Sequence, residues 1–402
     1  MFQPMLIETQ IMDFPATPPL LEEGAATAPT VAREGSARRA LRVAASGLDW
    51  LFGLVSLLLG LAILSIVPLL NFLSLGYLIH ASGRVAATGK LRHGFIGIRQ
   101  ASVLGSFFLG AWLVFLPIRI VSGLWKDAEL VASGSPNARV WHLALLMLTG
   151  LAVIHVVWAC LRGGRLRHFL WPAPLRFVRW LRNPAGLQAI RNAVVDYVVG
   201  LRLPYYFWLG ARGFAGAFLW LLIPVGTLIL AAQMPAGKGG ALFSFVGSVL
   251  LMLVALHLPF LQTHFALENR FRALFEVKVV RRMFQRAPVA FWLALFITLL
   301  FALPLYLLKI ELPPREIAWL PSLLFVVFIF PARLLTGWAV SRALRREQPR
   351  HWFFRWTSRL ALVPVVVAYA LIVYLTQYLS WNGTLSLLEQ HAFMVPAPLM
   401  NL

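Results

Sequence analysis

Ser341–Trp356, SRALRREQPRHWFFRW, decides how the rest of the chain is read. It follows a long apolar run and sets Arg342, Arg345, Arg346 and Arg350 beside a histidine and four large aromatic side chains. Leu161–Trp171, LRGGRLRHFLW, repeats that make-up after another apolar run, with Arg162, Arg165 and Arg167. Guanidinium groups suit lipid phosphates, and Trp and Phe rings suit the headgroup level. Both segments therefore read as lying on a membrane surface, and the runs before them as membrane spans.

Composition agrees. The 402 residues are 60% hydrophobic and only 13% charged, whereas a soluble domain carries about a quarter charged residues. The net charge of +21 would suit nucleic acid, but its distribution along the chain points to a membrane surface instead. The single cysteine, Cys160, rules out a disulfide within the chain and any zinc or iron–sulfur site built on several cysteines.

Apolar runs long enough to cross roughly 30 Å of hydrocarbon occur at 48–66, 103–118, 141–160, 213–231, 241–258, 289–308, 319–341 and 360–380. The fold class is thus all-α, a polytopic transmembrane bundle of about eight spans. Leaving out Arg212, at the edge of the fourth span, and Arg333, within the seventh, the first, third, fifth and seventh loops hold 4, 8, 6 and 6 Lys/Arg. The intervening segments and the C-terminus hold 3, 1, 2 and 0. By the positive-inside rule the odd loops are cytoplasmic and the C-terminus outside, as in a multi-pass protein of an inner (cytoplasmic) membrane.

Residues 1–46 are rich in Pro, Ala, Thr and Glu and read as a flexible tail. An even span count would place the tail outside despite Arg33, Arg38, Arg39 and Arg42. Val67–Ser82 offers a way out: it is a second uncharged run after Pro68, short for a crossing. If it returns through the bilayer as a hairpin arm the tail is cytoplasmic, and a re-entrant helix buried by protein is the other possibility.

Internal repetition is a further expectation. An apolar span, Val-Pro at 67–68, Asn71 and Arg84 parallel a span, Leu-Pro at 258–259, Gln262 and Arg270. LPIRI at 116–120 parallels LPLYL at 303–307, and Trp141 and Trp319 open the spans that end in the two basic-aromatic segments. This divides the chain into the tail 1–46, a four-span unit 47–231, a second parallel unit 240–380, and an interfacial segment 381–402 anchored by Trp381 and Phe393.

Other features are local. Gly210, Gly213 and Gly216 give either close helix approach or flexibility at a span's start. Leu187–Leu203 carries a helical apolar stripe and reads as an amphipathic surface helix. Arg333, in FIFPARLLTGW, lies nine residues before Arg342, about 13 Å at 1.5 Å per residue. It is either an anion or lipid-phosphate site, or a side chain that snorkels to the surface. His155 and His257 read as neutral histidines bonded between helices, and His264 with Glu268 as a surface pair at a spacing that could also share a metal.

The stretch PLLNFLSLGYLIHASGRVAATGKLRHGF, through Pro68, Gly76, Tyr77 and Arg84, resembles a bacterial domain-of-unknown-function family of multi-pass membrane proteins. The resemblance covers about the first third of the chain and implies integral membrane location, with no catalytic residue to carry over.

No phosphate loop, metalloprotease helix or nucleophile elbow is present, and no cofactor or metal is implied. The expected function is a non-enzymatic membrane component with a cationic cytoplasmic face. Arg333, Arg342, Arg345, Arg346, Arg350, Arg162, Arg165 and Arg167 are its candidates for binding anionic lipid, with a protein partner in the membrane as the other possible target. A permease for an anionic or amphiphilic solute is the alternative, and a lipid-modifying enzyme built on His155, His257 or His264 ranks third.

Overall fold

The computed structural model describes residues 36–181, 185–235, 238–307, 319–379 and 383–387. Among them there is no strand. The helices are α1 (Ser36–Ile66), α2 (Asn71–Thr88), α3 (Ile98–Val131), α4 (Pro136–Leu161), α5 (Leu166–Leu170), α6 (Pro174–Leu181) and α7 (Ala185–Gly200). They continue with α8 (Leu203–Gln233), α9 (Lys238–Glu268), α10 (Val277–Arg286), α11 (Pro288–Leu307), α12 (Trp319–Leu344) and α13 (Trp352–Leu379). Seven helices are long and apolar enough to cross a membrane, and α10 with α11, bent by 113°, supplies an eighth if the pair is one span. The chain is a multi-pass membrane protein.

Most of the tail 1–46 lies outside the described residues, though helix α1 already begins at Ser36. The C-terminal segment 381–402 also lies outside them except for a short 3-10 turn at Gly383–Leu387.

Pro68 ends α1. It lacks an amide hydrogen and disfavours helical backbone at Val67, and the chain turns over Val67–Leu70 with Leu69 at φ 69°. The second uncharged run then becomes α2, a largely enclosed helix with Ser74–Ile79 and Ala81–Gly83 buried. Small residues let its neighbours close in. A Cβ at Gly76 would fall on the Tyr206 carbonyl of α8, one at Gly210 on the Phe72 carbonyl of α2, and one at Gly337 of α12 on the Ser82 carbonyl. Gly213 and Gly216 likewise face Ile79 and Leu274, so this glycine series serves close approach.

From Gly47 onward α1 runs alongside α3 in the same direction. Trp50 packs on Phe95, with ring centroids 5.6 Å apart, Gly53 abuts Ile98, and Ser56 abuts Gly105. The segment Phe95–Ile98 is also what α2 leads into, through a 3-10 turn at Leu91–Gly94. The beginning of this stretch of α1 and the end of α2 therefore lie at one end of the bundle. The α1–α2 pair is a hairpin that returns to the end it came from, with its returning arm buried by protein as membrane-depth backbone requires.

The stripe at Leu187–Leu203 does form a helix, α7, ending at Gly200. Arg202, at φ 49°, breaks it from α8. One element went unforeseen: α10, VKVVRRMFQR, lies across the end of the bundle with Val280 and Met283 buried and Arg281 and Arg282 exposed.

Candidate functional site

All four basic loops gather at the end where α3 begins. Arg345, past α12, donates from Nη2 to the Thr88 carbonyl of α2 at 2.5 Å. The Arg350 amide donates to Gln285 O at 2.9 Å and Arg346 Nη1 to Arg286 O at 3.4 Å, both at the close of α10. Tyr197 of α7 donates to Gln100 O at 2.9 Å. Arg212 of α8 holds Asn269, after α9, through Nη1 to the carbonyl at 3.3 Å and Nη2 to Oδ1 at 2.7 Å.

These bonds give three of the eight candidate arginines, Arg345, Arg346 and Arg162, a role that spacing alone did not reveal. The last carbonyls of a helix lack intrahelical donors and sit at the negative end of its dipole. Arg345, Arg346 and Arg212 fill that need for other helices. Arg162 does the same locally, donating from Nη2 to the carbonyls of His168 and of Trp171, the latter at 2.6 Å, while its guanidinium lies over the Trp158 ring. Arg165 and Arg167 are exposed. Arg342 stacks over Trp338 at 5.2 Å, Arg350 over Phe354 at 4.5 Å and Arg359 over Trp356 at 5.8 Å. Beside them Trp352, Phe353 and Trp356 are more than half exposed.

Arg333 is different. It is 3% exposed and does not snorkel. Its Nη1 donates to Gln262 Oε1 of α9 at 2.5 Å, and its Nη2 is buried with no partner. Among the described residues no carboxylate lies within ion-pair distance of it. Around it, Thr263 Oγ1 of α9 donates to the Pro259 carbonyl at 3.1 Å and lies 3.4 Å from Ser82 Oγ of α2 and 3.3 Å from Thr336 Oγ1 of α12. Thr336 donates to Arg333 O at 2.8 Å. The result is a polar seam through the apolar core where α2, α9 and α12 meet. Its level follows from neighbours one residue or one turn away. Phe330 packs on Phe95 with centroids 5.2 Å apart, and Leu334 abuts Gly94. Arg333 thus stands level with the start of α3, at the basic end, because α12 runs on past that level.

Gln262 and Thr263 drew no notice as site residues in the sequence, although Gln262-Thr263-His264 is a polar run inside an apolar helix. His264 extends the seam outward. It is 5% exposed and pairs through Nε2 with Glu276 Oε2 at 2.9 Å, and not with Glu268, which pairs with Arg270 at 2.7 Å. The hydrogen bond with His264 holds the Glu276 carboxyl below its ordinary range. His155 bonds through Nε2 to the Phe169 carbonyl at 2.7 Å, and His257 through Nδ1 to Leu253 O of its own helix at 2.8 Å. Among the described residues no three His, Cys, Asp or Glu side chains gather as a metal site would need.

No family model matches the chain, and neither a curated protein nor a solved structure matches it.

Proposed function

We propose that this multi-pass membrane protein is non-enzymatic and seats its basic end against anionic lipid, that end facing the cytoplasm. One observation carries the reading: the exposed rim formed by Arg342, Arg350 and Arg359, each stacked on an aromatic ring, with Trp352, Phe353 and Trp356 uncovered beside them. Apolar rings grouped on a surface call for a partner that covers them. The headgroup layer of an anionic leaflet covers rings and answers the cations together, each arginine near such a surface contributing about 1 kcal/mol. Arginines already bonded to helix-end carbonyls contribute charge to this layer rather than specific lipid contacts.

The full chain, purified in maltoside with an equimolar mixture of phosphatidylglycerol and phosphatidylcholine, tests this by native mass spectrometry of retained lipid. Phosphatidylglycerol is expected to be enriched severalfold, and the triple variant Arg342→Gln, Arg350→Gln, Arg359→Gln to lose most of that enrichment. Equal retention of both lipids by the unaltered chain would remove the lipid reading and favour a protein partner.

A further inference from the structure

We propose that Arg333 and Gln262 form an internal oxyanion site, separate from the lipid-facing rim, that takes one phosphate or carboxylate group from the basic end. The argument begins with cost. Withdrawing a guanidinium from water without a counter-charge is severely unfavourable, and buried charges in proteins are paired or bound to ligands. Arg333 is enclosed, has no carboxylate in ion-pair distance among the described residues, and is met by one neutral amide at 2.5 Å. Gln262 fixes Nη1 and so the plane of the fork, leaving Nη2 buried and without a partner. A fork held at Nη1 and unpartnered at Nη2 suits the two oxygens of a planar or tetrahedral anion.

Placement supports the same ligand. Arg333 lies level with the start of α3, where the four basic loops converge, so an anion drawn to that end is already close to it. The hydroxyls of Thr263, Thr336 and Ser82 prolong the polar surface between α2, α9 and α12. Each of these hydroxyls also donates to a carbonyl of its own helix, which holds it in place along that surface. A carboxylate in place of Gln262 would have supplied an internal counter-charge, and an amide there keeps the fork available.

The ligand chemistry is shared by free phosphate and by a lipid phosphate headgroup, and the experiment separates them. The full chain in phosphate-free maltoside is heated with inorganic phosphate, with phosphatidic acid, or with sodium chloride at equal ionic strength. The midpoint is expected to rise by about 2–5 °C at saturating ligand over the chloride control. A rise with both ligands assigns a general oxyanion site, and a rise with phosphatidic acid alone assigns the headgroup. A rise with phosphate alone assigns the free anion. Arg333→Lys is expected to keep the fold and lose most of the shift, since it keeps a charge but not the fork. Gln262→Glu is expected to raise the ligand-free midpoint and abolish the shift, because it places a competing carboxylate on the guanidinium. No shift in the unaltered chain, or a shift that survives Gln262→Glu, would overturn the site. The triple variant of the surface rim is expected to keep the shift, so failure of one reading is distinguishable from failure of the other.

Discussion

The ends of α2 and α9 have nearly the same backbone and carry different chemistry. Each helix closes on a left-handed residue, Gly89 at φ 71° and Asn269 at φ 51°, followed by an extended cation, Lys90 at φ −111° and Arg270 at φ −115°. A 3-10 turn comes next, Leu91–Gly94 in one and Phe271–Phe275 in the other. The residue after that turn also matches, Phe95 at φ −85° and Glu276 at φ −82°. Each end is clamped by an arginine from elsewhere, Arg345 and Arg212. Yet Phe95 packs on Trp50 and Phe330, whereas Glu276 pairs with His264. The register differs as well: Asn71 stands 18 residues before Gly89, but Gln262 only 7 before Asn269. What the two ends share is a backbone solution for finishing a helix at the basic end. The chemistry placed on it is free to differ.

Close backbone approach seats α2, and Gly76→Ala tests it. A Cβ at Gly76 would meet the Tyr206 backbone, which cannot yield as a flexible side chain can. We expect a loss of about 3 kcal/mol, read as a large drop in thermal midpoint or as failure to yield a monodisperse protein. Gly60→Ala, with nothing within 4 Å, is the control, and we expect it to stabilise by about 0.5–1 kcal/mol through helix propensity. Equal effects would mean α2 is not seated by close backbone approach.

The helix ends come next in size. At Gly89 an alanine would enter left-handed backbone at a cost of about 1–2 kcal/mol and would also meet the Arg345 guanidinium. Asn269→Gly keeps the backbone and removes only the Oδ1 contact with Arg212, so a smaller loss is expected. A reversed order in midpoint measurements would break the equivalence of the two ends.

How much of this was legible in the sequence depends on what each signal measures. Hydropathy located the apolar centres of the spans, because lipid exposure demands them. It missed some of their ends: α9 runs on to Glu268 and α13 begins at Trp352 rather than 360, while α3, whose run was short for a crossing, does begin a little before Val103, at Ile98. Those extensions are polar or amphipathic turns held by neighbouring helices, and α10 was missed for the same reason. The alternation of basic loops anticipated their gathering at one end. That Arg345 closes α2 across 257 positions of sequence was not legible, since that bond exists only once α12 lies beside α2. Arg333 stood out as a charge within an apolar run. Counting residues to Arg342 set its distance along α12 but not its level, which depends on how far α12 extends past α3.

The smallest expected effect lies at the one charged difference between the two ends. The contact with His264 lowers the Glu276 carboxyl, so its contribution to stability is present above the ordinary value of about 4.3 and fades as pH falls through the lowered one. Glu276→Gln should therefore narrow the stability gap to the unaltered chain as pH falls from 6 to 3 in midpoint measurements. A gap that does not depend on pH would mean the pair acts only through packing.

The returning hairpin is the claim on which the arrangement of the basic end depends. Its most direct test is labelling of intact, oriented membranes with an impermeant maleimide, in a Cys160→Ala background, at Gly47→Cys, Lys90→Cys and Ser133→Cys in turn. The account predicts that positions 47 and 90 label from the same side and position 133, between α3 and α4, from the opposite one. Labelling of position 47 together with position 133, and against position 90, would show that α1 and α2 do not return to one side and would contradict it.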